Sequence, residues 1–438
     1  MSLFAELLAT RGPAALLEST GGAPSLARLS ILARHPRALL VAGRDGVRVD
    51  TGSGSRSLAC DPVSALRLLL REIPAGRWPD EGGLVGALAY DFARPHRPPA
   101  ATPLLVVMAV DRLEVAESGL AATPPTADPE PGVTPGPVGG VPPRTPPGPC
   151  LGAALDLSDF SNLTRREHRA LVLRILEHIA RGDIYQANLS QRFELPWPRT
   201  GLDLYRSLRA VSPAPFSGYF RAAGFEIVSA SPERLLKVAD GEASTRPIAG
   251  TRPRSPDAAW DRALAAELIL SEKERAEHLM LVDLARNDLG KVGALGSVEV
   301  NELMTVEDYA QVRHIVSNVR TRLAPGRDAF DALFAMFPGG TITGVPKIRC
   351  MQILDALEPA ARGFYTGALF YATPSGRLDA NILIRSALVT AGRVSFQTGG
   401  GIVADSDPDQ EYQETLHKAE GMRLALAAAL ADPGAGLC

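Results

Sequence analysis

Helical periodicity is clearest in three stretches of the chain. Apolar residues recur every three to four positions over 163–179, until Arg-Gly stops the pattern. Residues 256–289 show the same spacing with a break near Ser271, and a last helix begins near Asp407 or Asp409. The pattern therefore predicts helices along most of the second part of the chain.

Strand-like runs lie between and before these helices. Residues 183–195 place β-branched and aromatic residues in partial alternation with polar ones, which is typical of a strand. Helices and strands come in blocks rather than in a regular βαβ alternation, which favours an α+β architecture. The other strand-like runs are 38–43, 86–92, 104–110, 368–373, 378–389 and 393–403.

A segment rich in proline and glycine divides the chain unevenly. Residues 121–149 contain no aromatic residue and no Leu, Ile or Met, so they bury too little apolar surface to offset the entropy of ordering. We expect an N-terminal subdomain over 1–120, a linker or long loop over 121–150, and a larger catalytic domain over 151–432.

Composition and charge exclude several classes of protein. A net charge of -3 argues against nucleic acid as a partner, because duplex binding needs a basic face. The four cysteines are too scattered for a zinc site or a dense disulfide framework. No uncharged run could span a membrane, and the N-terminus lacks the basic region of a secretory signal. We expect a reduced, soluble, cytoplasmic protein.

Two predicted helices each carry a Glu-x-x-Glu motif, formed by Glu274 with Glu277 and by Glu411 with Glu414. Residues three apart lie on one helical face, so each helix can direct two carboxylates at one point. Either pair alone could be a solvated acidic face. Two such faces that meet would form an oxygen-only site suited to Mg²⁺.

Cationic residues point to an anionic ligand. The stretch TRPIAGTRPR, residues 245–254, has three arginines and two prolines, so it cannot be a helix interior, and we expect an acidic group beside it. Arg385 stands between Ile and Leu neighbours in a predicted strand, where it needs a buried anionic partner from the protein or from a ligand.

Two glycine-rich segments raise further alternatives. Gly399, Gly400 and Gly401 fall in a predicted strand, which they weaken unless another backbone or a ligand comes close. A phosphate loop has little support, because no GxxxxGK[ST] motif is present. The turn 337–349, FPGGTITGVPKIR, could hold an anion through backbone N–H groups and Lys347, or could simply precede a helix.

Taken together, these stretches resemble the chorismate-utilising enzymes. That family includes component I of anthranilate synthase and of aminodeoxychorismate synthase, and the isochorismate and salicylate synthases. The resemblance implies an α+β fold with a large antiparallel β-sheet core and flanking helices. It is carried, in order over roughly residues 160–425, by GDIYQANLSQRF, ASPERLL, RPIAGTRPR, EHLMLVDLARNDLG, HIVSNV, FPGGTITGVPKIR, ILIRSA and GGGIVADSDPDQEYQET.

The resemblance implies catalytic roles for particular acidic residues. Mg²⁺ would bind the ring carboxylate of chorismate through Glu277 and Glu414, with Glu274 and Glu411 assisting. Glu233 would be the general acid that protonates the leaving C4 hydroxyl, although a lone glutamate after a Ser-Pro turn is normally just exposed.

Other residues acquire roles by the same resemblance. His314 would assist the acid/base chemistry, although an isolated histidine in an apolar run is more often structural. Tyr371 would hold the enolpyruvyl carboxylate together with Arg385, although a core tyrosine is the default. The implied substrate-binding set is Gly250, Thr251, Thr343, Lys347, Tyr371, Arg385, Gly399, Gly400 and Gly401.

The nucleophile distinguishes members of the family. Isochorismate and salicylate synthases carry a lysine that activates water where this chain has Gln186, which implies an aminating member. Such members take ammonia from a separate glutamine amidotransferase subunit. Many aminodeoxychorismate synthases also carry a nucleophilic lysine where this chain has Ala249.

Two products and one inactive alternative therefore remain. The motifs FPGG, GGGIVADS and YQANLSQRF favour 4-amino-4-deoxychorismate, in the folate and para-aminobenzoate pathway, over anthranilate with pyruvate elimination. A catalytically inactive binding or regulatory subunit is the alternative of another class.

Part of the N-terminal region resembles the tryptophan pocket of the family. Glu18 and Ser19 in LLEST, with Pro215 and Phe216 in SPAPFSGYF, are the residues that carry this likeness. The pocket serves feedback inhibition in anthranilate synthase and is structural in some aminodeoxychorismate synthases. We assign no regulatory role to these residues on sequence alone.

Overall fold

The computed structural model describes residues 3–21, 29–94, 103–117, 155–308 and 312–432. Within them the strands form two sheets, of nine and twelve strands, and the pairings between these strands are antiparallel. Large antiparallel sheets flanked by helices confirm the predicted α+β fold. The predicted linker lies outside the described residues.

The first sheet carries the glycine-rich strand. Strands are numbered along the chain, and those of this sheet run from one edge to the other as follows. They are β17 (Gly344–Val345), β9 (Gln186–Pro196), β21 (Arg393–Ile402), β20 (Ser386–Thr390), β11 (Phe225–Ser231), β10 (Phe216–Ala222), β1 (Ala14–Glu18), β2 (Leu29–Arg34) and β8 (Glu114–Glu117).

The second sheet carries the arginine-rich stretch at one edge. Its strands, in spatial order, are β14 (Ile248–Pro253), β16 (Val312–Arg322), β13 (Glu242–Thr245), β12 (Arg234–Ala239), β19 (Leu378–Asn381), β18 (Ala368–Ala372), β6 (Gly83–Leu88), β7 (Leu105–Val110), β3 (Ala38–Gly43), β4 (Gly46–Thr51) and β5 (Gly54–Leu58), while β15 (Glu299–Asp308) also pairs with β16. Strands from the first 117 residues thus continue both sheets. The division into subdomains stays a prediction.

Polar caps define the helices that matter for the site. Ser271 ends one helix and caps the next by accepting from the Glu274 N–H, and Asp407 caps the last helix. Both positions confirm the predicted boundaries. The helices are α1 (Leu3–Ala9), α2 (Pro62–Glu72), α3 (Arg165–Ala180), α4 (Gly201–Val211), α5 (Ala258–Leu270), α6 (Glu272–Gly290), α7 (Ala329–Met336), α8 (Lys347–Leu357) and α9 (Pro408–Ala431).

The two sheets pack face to face between layers of helices. Buried apolar side chains of β2, β10 and β11 contact those of β6 and β7 to form the central core. Helices α4 and α9 cover the outer face of the first sheet, and α2, α6 and α7 cover the outer face of the second. Of the helices in the described residues, none is long and apolar enough to cross a membrane.

The predicted strand over 378–389 is wrong in one respect, because it is two strands in different sheets. Its first part is β19 of the second sheet and its last part is β20 of the first sheet. Arg385 lies between them with φ of 50°, in the left-handed region, and its carbonyl accepts from the Ala230 N–H at 3.1 Å. Both halves are apolar because both are buried, so the hydrophobic pattern alone does not reveal that the chain passes from one sheet to the other.

Candidate active site

The two predicted acidic pairs border the same glycine-rich strand, β21. A Cβ atom added to Gly400 would lie 2.9 Å from Glu411 Oε2 and 3.6 Å from Glu414 Oε1. A Cβ atom on Gly401 would lie 2.5 Å from Gln186 Nε2, and that nitrogen donates to Glu277 Oε1 at 2.7 Å. Glycine is therefore required for the close approach of these polar side chains.

Helix capping explains why the carboxylates reach this point. The Ser271 cap places Glu274 in the first turn of α6 and Glu277 one turn later on the same face. The Asp407 cap does the same for Glu411 and Glu414 on α9. Glu274 and Glu411 thus lie in the first turn of their helices, where the partial positive charge of the helix end tolerates an anion, and Glu277 and Glu414 follow one turn later.

Electrostatics at the acidic pairs favour a cation. Burial raises the pKa of Glu277, and the negative charges of Glu274 and Glu414 raise it further. Burial also raises the pKa of Glu411, with a further contribution from Glu414. Glu411 Oε2 is buried and makes no hydrogen bond. A positive ion would relieve this repulsion and supply the missing partner.

These residues fit Mg²⁺ in their negative charge and in the oxygen atoms that they offer as ligands. Oxygen ligands suit Mg²⁺, which needs only one or two protein carboxylates beside waters and substrate oxygens. In the part of the chain that the structure describes, no three His, Cys, Asp or Glu side chains already form a metal-binding group. The carboxylates are therefore present as two separated pairs rather than as a complete set of metal ligands.

The three arginines of residues 245–254 are already neutralised by the protein. The hypothesis that they await a ligand is wrong, because acidic side chains of α5, α6 and β15 lie within ion-pair distance. The pairs are Arg246 with Glu302 and Glu307, Arg252 with Glu267 at 2.9 Å and Glu274 at 3.2 Å, and Arg254 with Asp261 at 3.1 Å and Asp308 at 3.4 Å.

The centre of the same stretch approaches the acidic pair on α6. Gly250 has φ of 68°, and a Cβ atom there would lie 2.9 Å from Glu274 Oε2. His314 Nδ1 lies 3.1 Å from the Gly250 carbonyl oxygen and 3.0 Å from Thr251 Oγ1. Burial lowers the pKa of His314, so the imidazole is neutral near pH 7. Ala249 is buried in β14 and pairs with Ile315.

Glu233 has the properties of a general acid. Its carboxyl group is buried and accepts from Thr341 Oγ1 at 2.7 Å. Burial raises the pKa of Glu233 to about 7, against the opposing effects of the Thr341 hydrogen bond and the Lys418 charge. A carboxyl group with this pKa is partly protonated at neutral pH and can donate a proton.

Arg385 is a cation for which the described residues offer no counterion. Among the described residues, its guanidinium makes no hydrogen bond or ion pair, although the side chain is exposed to solvent. Surrounding protein atoms nevertheless lower the pKa of Arg385 by desolvation, and its charge lowers the pKa of His314. The guanidinium therefore lies close enough to His314 to affect its charge, and it is open to solvent.

Sequence comparison decides the family to which this site belongs. The family described as chorismate binding enzyme matches residues 40–423. The chain belongs to the chorismate-binding enzymes. The match includes both acidic pairs, the glycine-rich strand, Glu233 and Arg385.

Individual relatives of this chorismate-binding enzyme carry two different names. Anthranilate synthase component 1 of Cereibacter sphaeroides is 36% identical over 457 residues, covering 97% of this chain and 91% of that protein. Aminodeoxychorismate synthase component 1 of Bacillus subtilis is 48% identical over 255 residues, covering 58% of this chain and 54% of that protein. The chain therefore spans about half the length of some curated relatives that it matches.

A solved structure supports the same fold. The crystal structure of anthranilate synthase component I from Streptococcus pneumoniae superposes with a TM-score of 0.73 and 31% sequence identity. The superposition covers 91% of this chain and 92% of that chain.

Two predicted substrate-binding residues of the chorismate-binding enzyme are occupied with structural contacts. The Lys347 ammonium donates to Asp288, to the Met336 carbonyl at 3.1 Å and to the Pro338 carbonyl at 2.7 Å. Three acceptors use all three of its protons, so none is left for a substrate anion. Thr343 is fully buried and donates to carbonyl oxygens of the 337–349 turn. The structure does not support either residue as a substrate contact.

Tyr371 lines a cavity whose lining includes neither Arg385 nor the acidic pairs, so the structure does not support its predicted partnership with Arg385. Its ring stacks on Trp78 with ring centroids 5.5 Å apart. It lines a cavity of about 260 Å³, which we call the N-terminal pocket and which is also lined by Glu18, Ser19, Pro215 and Phe216. The four residues predicted for a tryptophan pocket are therefore brought together, and Tyr371 belongs with them.

The sequence analysis missed three residues at the glycine strand. A Cβ atom on Gly399 would lie 2.6 Å from Asn188 Oδ1 and 2.9 Å from the Tyr365 hydroxyl oxygen. Lys418 Nζ donates to the Gly399 carbonyl at 2.9 Å and pairs with Glu414 at 2.7 Å. Spacing could have indicated two of them, because Asn188 shares a strand face with Gln186 and Lys418 shares a helix face with Glu414.

Proposed function

We propose that this chain aminates chorismate in a Mg²⁺-dependent reaction, using ammonia from a separate glutamine amidotransferase subunit. One observation carries the proposal: each acidic pair beside the glycine strand keeps one carboxylate without an ion-pair partner among the described residues, and Arg385 has no such partner either. Glu274 pairs with Arg252 and Glu414 with Lys418, but among the described residues Glu277, Glu411 and Arg385 have no ion-pair partner. Chorismate has two carboxylates, so with a metal ion it would satisfy both requirements.

Substrate binding would use the two charged regions separately. Glu277 and Glu414 would hold Mg²⁺, with Glu274 and Glu411 beside them, and the ion would supply positive charge to the ring carboxylate. Arg385 would bind the enolpyruvyl carboxylate, since a guanidinium can donate two parallel hydrogen bonds to a carboxylate. The ring would lie between these two regions, beside the glycine strand.

Proton transfer would be the task of Glu233. As the ring C4–O bond breaks, its proton would pass to the hydroxyl group, which leaves as water. His314 is neutral and hydrogen-bonded to Gly250. It would therefore polarise the substrate or accept a proton from it, rather than bind an anion. The nitrogen of ammonia would form the new bond to the ring.

We place the final amino group at C4, giving 4-amino-4-deoxychorismate. The motifs FPGG, GGGIVADS and YQANLSQRF support this product, as does the name of the Bacillus subtilis relative. Ala249 has no amine to attack C2, so ammonia or another group must take that step. If ammonia adds first at C2, a second ammonia then bonds to C4 while the amino group at C2 leaves as ammonia.

Anthranilate formation is the second candidate, and two observations favour it. The relative from Cereibacter sphaeroides that covers 97% of this chain is named anthranilate synthase. The N-terminal pocket also assembles the residues that resemble a tryptophan site. In this reaction the amino group would stay at C2 and pyruvate would be eliminated.

Product analysis tests the proposal and separates the candidates. The purified chain would be incubated with chorismate, Mg²⁺ and ammonium chloride, and the products identified by mass spectrometry. We expect 4-amino-4-deoxychorismate. Anthranilate with pyruvate would refute the C4 assignment in favour of the second candidate, and bound but unchanged chorismate would indicate an inactive binding subunit.

A further inference from the structure

The four glutamates of the acidic pairs are each held at one oxygen by another side chain of the protein. Two of these partners are uncharged, and the other two are cations. The contacts are Glu277 with Gln186 at 2.7 Å, Glu411 with Ser406 at 2.6 Å, Glu274 with Arg252 at 3.2 Å and Glu414 with Lys418 at 2.7 Å. The protein therefore supplies positive charge of its own to each acidic pair.

The two cations differ in how firmly they are fixed. Arg252 also pairs with Glu267 at 2.9 Å, so its position depends on a contact outside the acidic pairs. Among the described residues, Lys418 pairs with no carboxylate except Glu414, and 45% of its side chain is exposed. A lysine is a single charge on a flexible four-carbon chain. Lys418 can therefore turn away from Glu414 without breaking a second ion pair.

Lys418 lies where the two carboxylates of α9 converge on the glycine strand. The Glu414 oxygen that it binds, Oε1, would lie 3.6 Å from a Cβ atom on Gly400, and Glu411 Oε2 would lie 2.9 Å from the same atom. The Lys418 ammonium also donates to the Gly399 carbonyl at 2.9 Å. Its charge opposes the rise in the pKa of Glu411, so it acts on both carboxylates.

We propose that Lys418 is an internal counterion of the acidic pairs, which occupies Glu414 in the absence of Mg²⁺ and so lowers the affinity of the free chain for the metal. This inference rests on the proposed function, because it takes Glu414 as a metal ligand. Binding of a second cation at Glu414 costs the contact with Lys418 and adds repulsion from the ammonium group.

The hydrogen bond to Gly399 keeps the ammonium near the site when its contact with Glu414 breaks. The free chain should therefore hold Mg²⁺ weakly. The ring carboxylate of chorismate adds negative charge to the same region, so the metal should bind more tightly when the substrate is present. Because such coupling is reciprocal, chorismate should also bind more tightly when Mg²⁺ is present.

Lys418→Met tests the counterion, because methionine is also long and unbranched but carries no charge. Mg²⁺ would be titrated into the chain by calorimetry in the absence of chorismate, so the measurement needs no turnover. We expect the Kd for Mg²⁺ to fall about tenfold, since one competing charge is removed. Lys418→Arg keeps a cation and should keep the Kd of the wild type within about twofold.

Arg423→Met is the matched control on the same helix. Arg423 also pairs with a glutamate of α9, Glu420, at 2.7 Å. It lies more than two turns beyond Glu414, about 14 Å along the helix axis. Salt screens exposed charges over about 8 Å under physiological conditions. This variant loses the same charge as Lys418→Met, and its Kd for Mg²⁺ should not change.

The outcomes separate this inference from the proposed function. An unchanged or higher Kd in Lys418→Met, or an equal fall in Arg423→Met, would overturn the role of Lys418 and leave amination untouched. Wild-type protein that binds no Mg²⁺, with or without chorismate, would overturn both. A fall in Kd confined to Lys418→Met, in a chain that forms no aminated product, would support Lys418 and refute amination. Circular dichroism would verify folding, and Lys418→Gln would replace the methionine variant if that variant does not fold.

Discussion

The active site and the N-terminal pocket both contain glutamate and arginine side chains, but they differ in how completely these charges are paired. In the N-terminal pocket, Glu18 accepts from Tyr205 at 2.7 Å and from Arg209 at 3.0 Å. Arg234 forms a two-point ion pair with Asp379 at 2.9 and 3.0 Å. In the active site, Arg385 has no such partner among the described residues, and burial together with repulsion from neighbouring carboxylates raises the pKa of the partly buried Glu277.

This difference indicates how each cavity contributes to the molecule. A paired network is complete without a ligand, so removing one member should mainly destabilise the fold. Unpaired charges are costly to keep buried, and they persist where binding or catalysis needs them. We therefore expect substitutions in the pocket to change stability, and substitutions in the active site to change turnover.

The largest expected effect comes from the acidic pairs. Glu277→Gln removes a carboxylate charge while keeping the side-chain size, and we expect turnover of chorismate to fall about 10³-fold, as for loss of one transition-state charge contact. Chorismate consumption would be measured at saturating Mg²⁺. Glu272→Gln, an exposed position in the first turn of the same helix, is the matched control. Equal losses in both variants would contradict a specific role for Glu277.

Two arginines provide the sharpest contrast between the cavities. Arg385→Leu should raise the KM for chorismate about 100-fold, since a charge-assisted hydrogen bond contributes up to about 3 kcal/mol. Its melting temperature should not fall, because the described part of the chain offers this charge no partner. Arg234→Leu should lower the free energy of unfolding by about 2 kcal/mol, because Asp379 is left unpaired. The reverse pattern would show that the two sites have been assigned incorrectly.

The pH profile should report the protonation of Glu233. Only the protonated acid can donate, so kcat should be constant below about pH 7 and fall tenfold per pH unit above its pKa of about 7. Thr341→Val removes a hydrogen bond that lowers this pKa, so the decline should begin at higher pH. Measuring kcat against pH in the wild type and in Thr341→Val checks the direction of the shift. If kcat begins to fall at the same pH in both proteins, the titration belongs to another group.

A pair of tyrosines gives the smallest expected effect. Tyr365→Phe should raise the KM for chorismate about tenfold if its hydroxyl, which faces Gly399, makes one hydrogen bond to the substrate. Tyr371→Phe should change that KM less than about twofold, because its ring packs on Trp78 in the N-terminal pocket. Steady-state kinetics of both variants would decide, and a larger effect for Tyr371 would restore its predicted role as a substrate contact.

The sequence predicted those features that depend on local spacing. Capping residues located α6 and α9, and a separation of three residues placed each acidic pair on one helical face. The fold class followed from the order of helices and strands. These features need no information about which distant elements meet.

Features that depend on tertiary contacts could not be predicted in the same way. Arg252 looked free because its partners, Glu267 and Glu274, belong to helices that pack on β14 only in the folded chain. Lys347 looked available because the carbonyl oxygens that bind it carry no sequence signal. The position of Tyr371 depends on which face of β18 borders which cavity.

Calorimetric titration of chorismate tests the central claim most directly, because it measures whether the anion chorismate binds only when the cation Mg²⁺ is also present. The wild-type chain would be titrated with chorismate in the presence and absence of Mg²⁺, beside Glu277→Gln. We predict magnesium-dependent binding that is lost in the variant. Binding of equal strength with and without Mg²⁺, or in both proteins, would contradict the account.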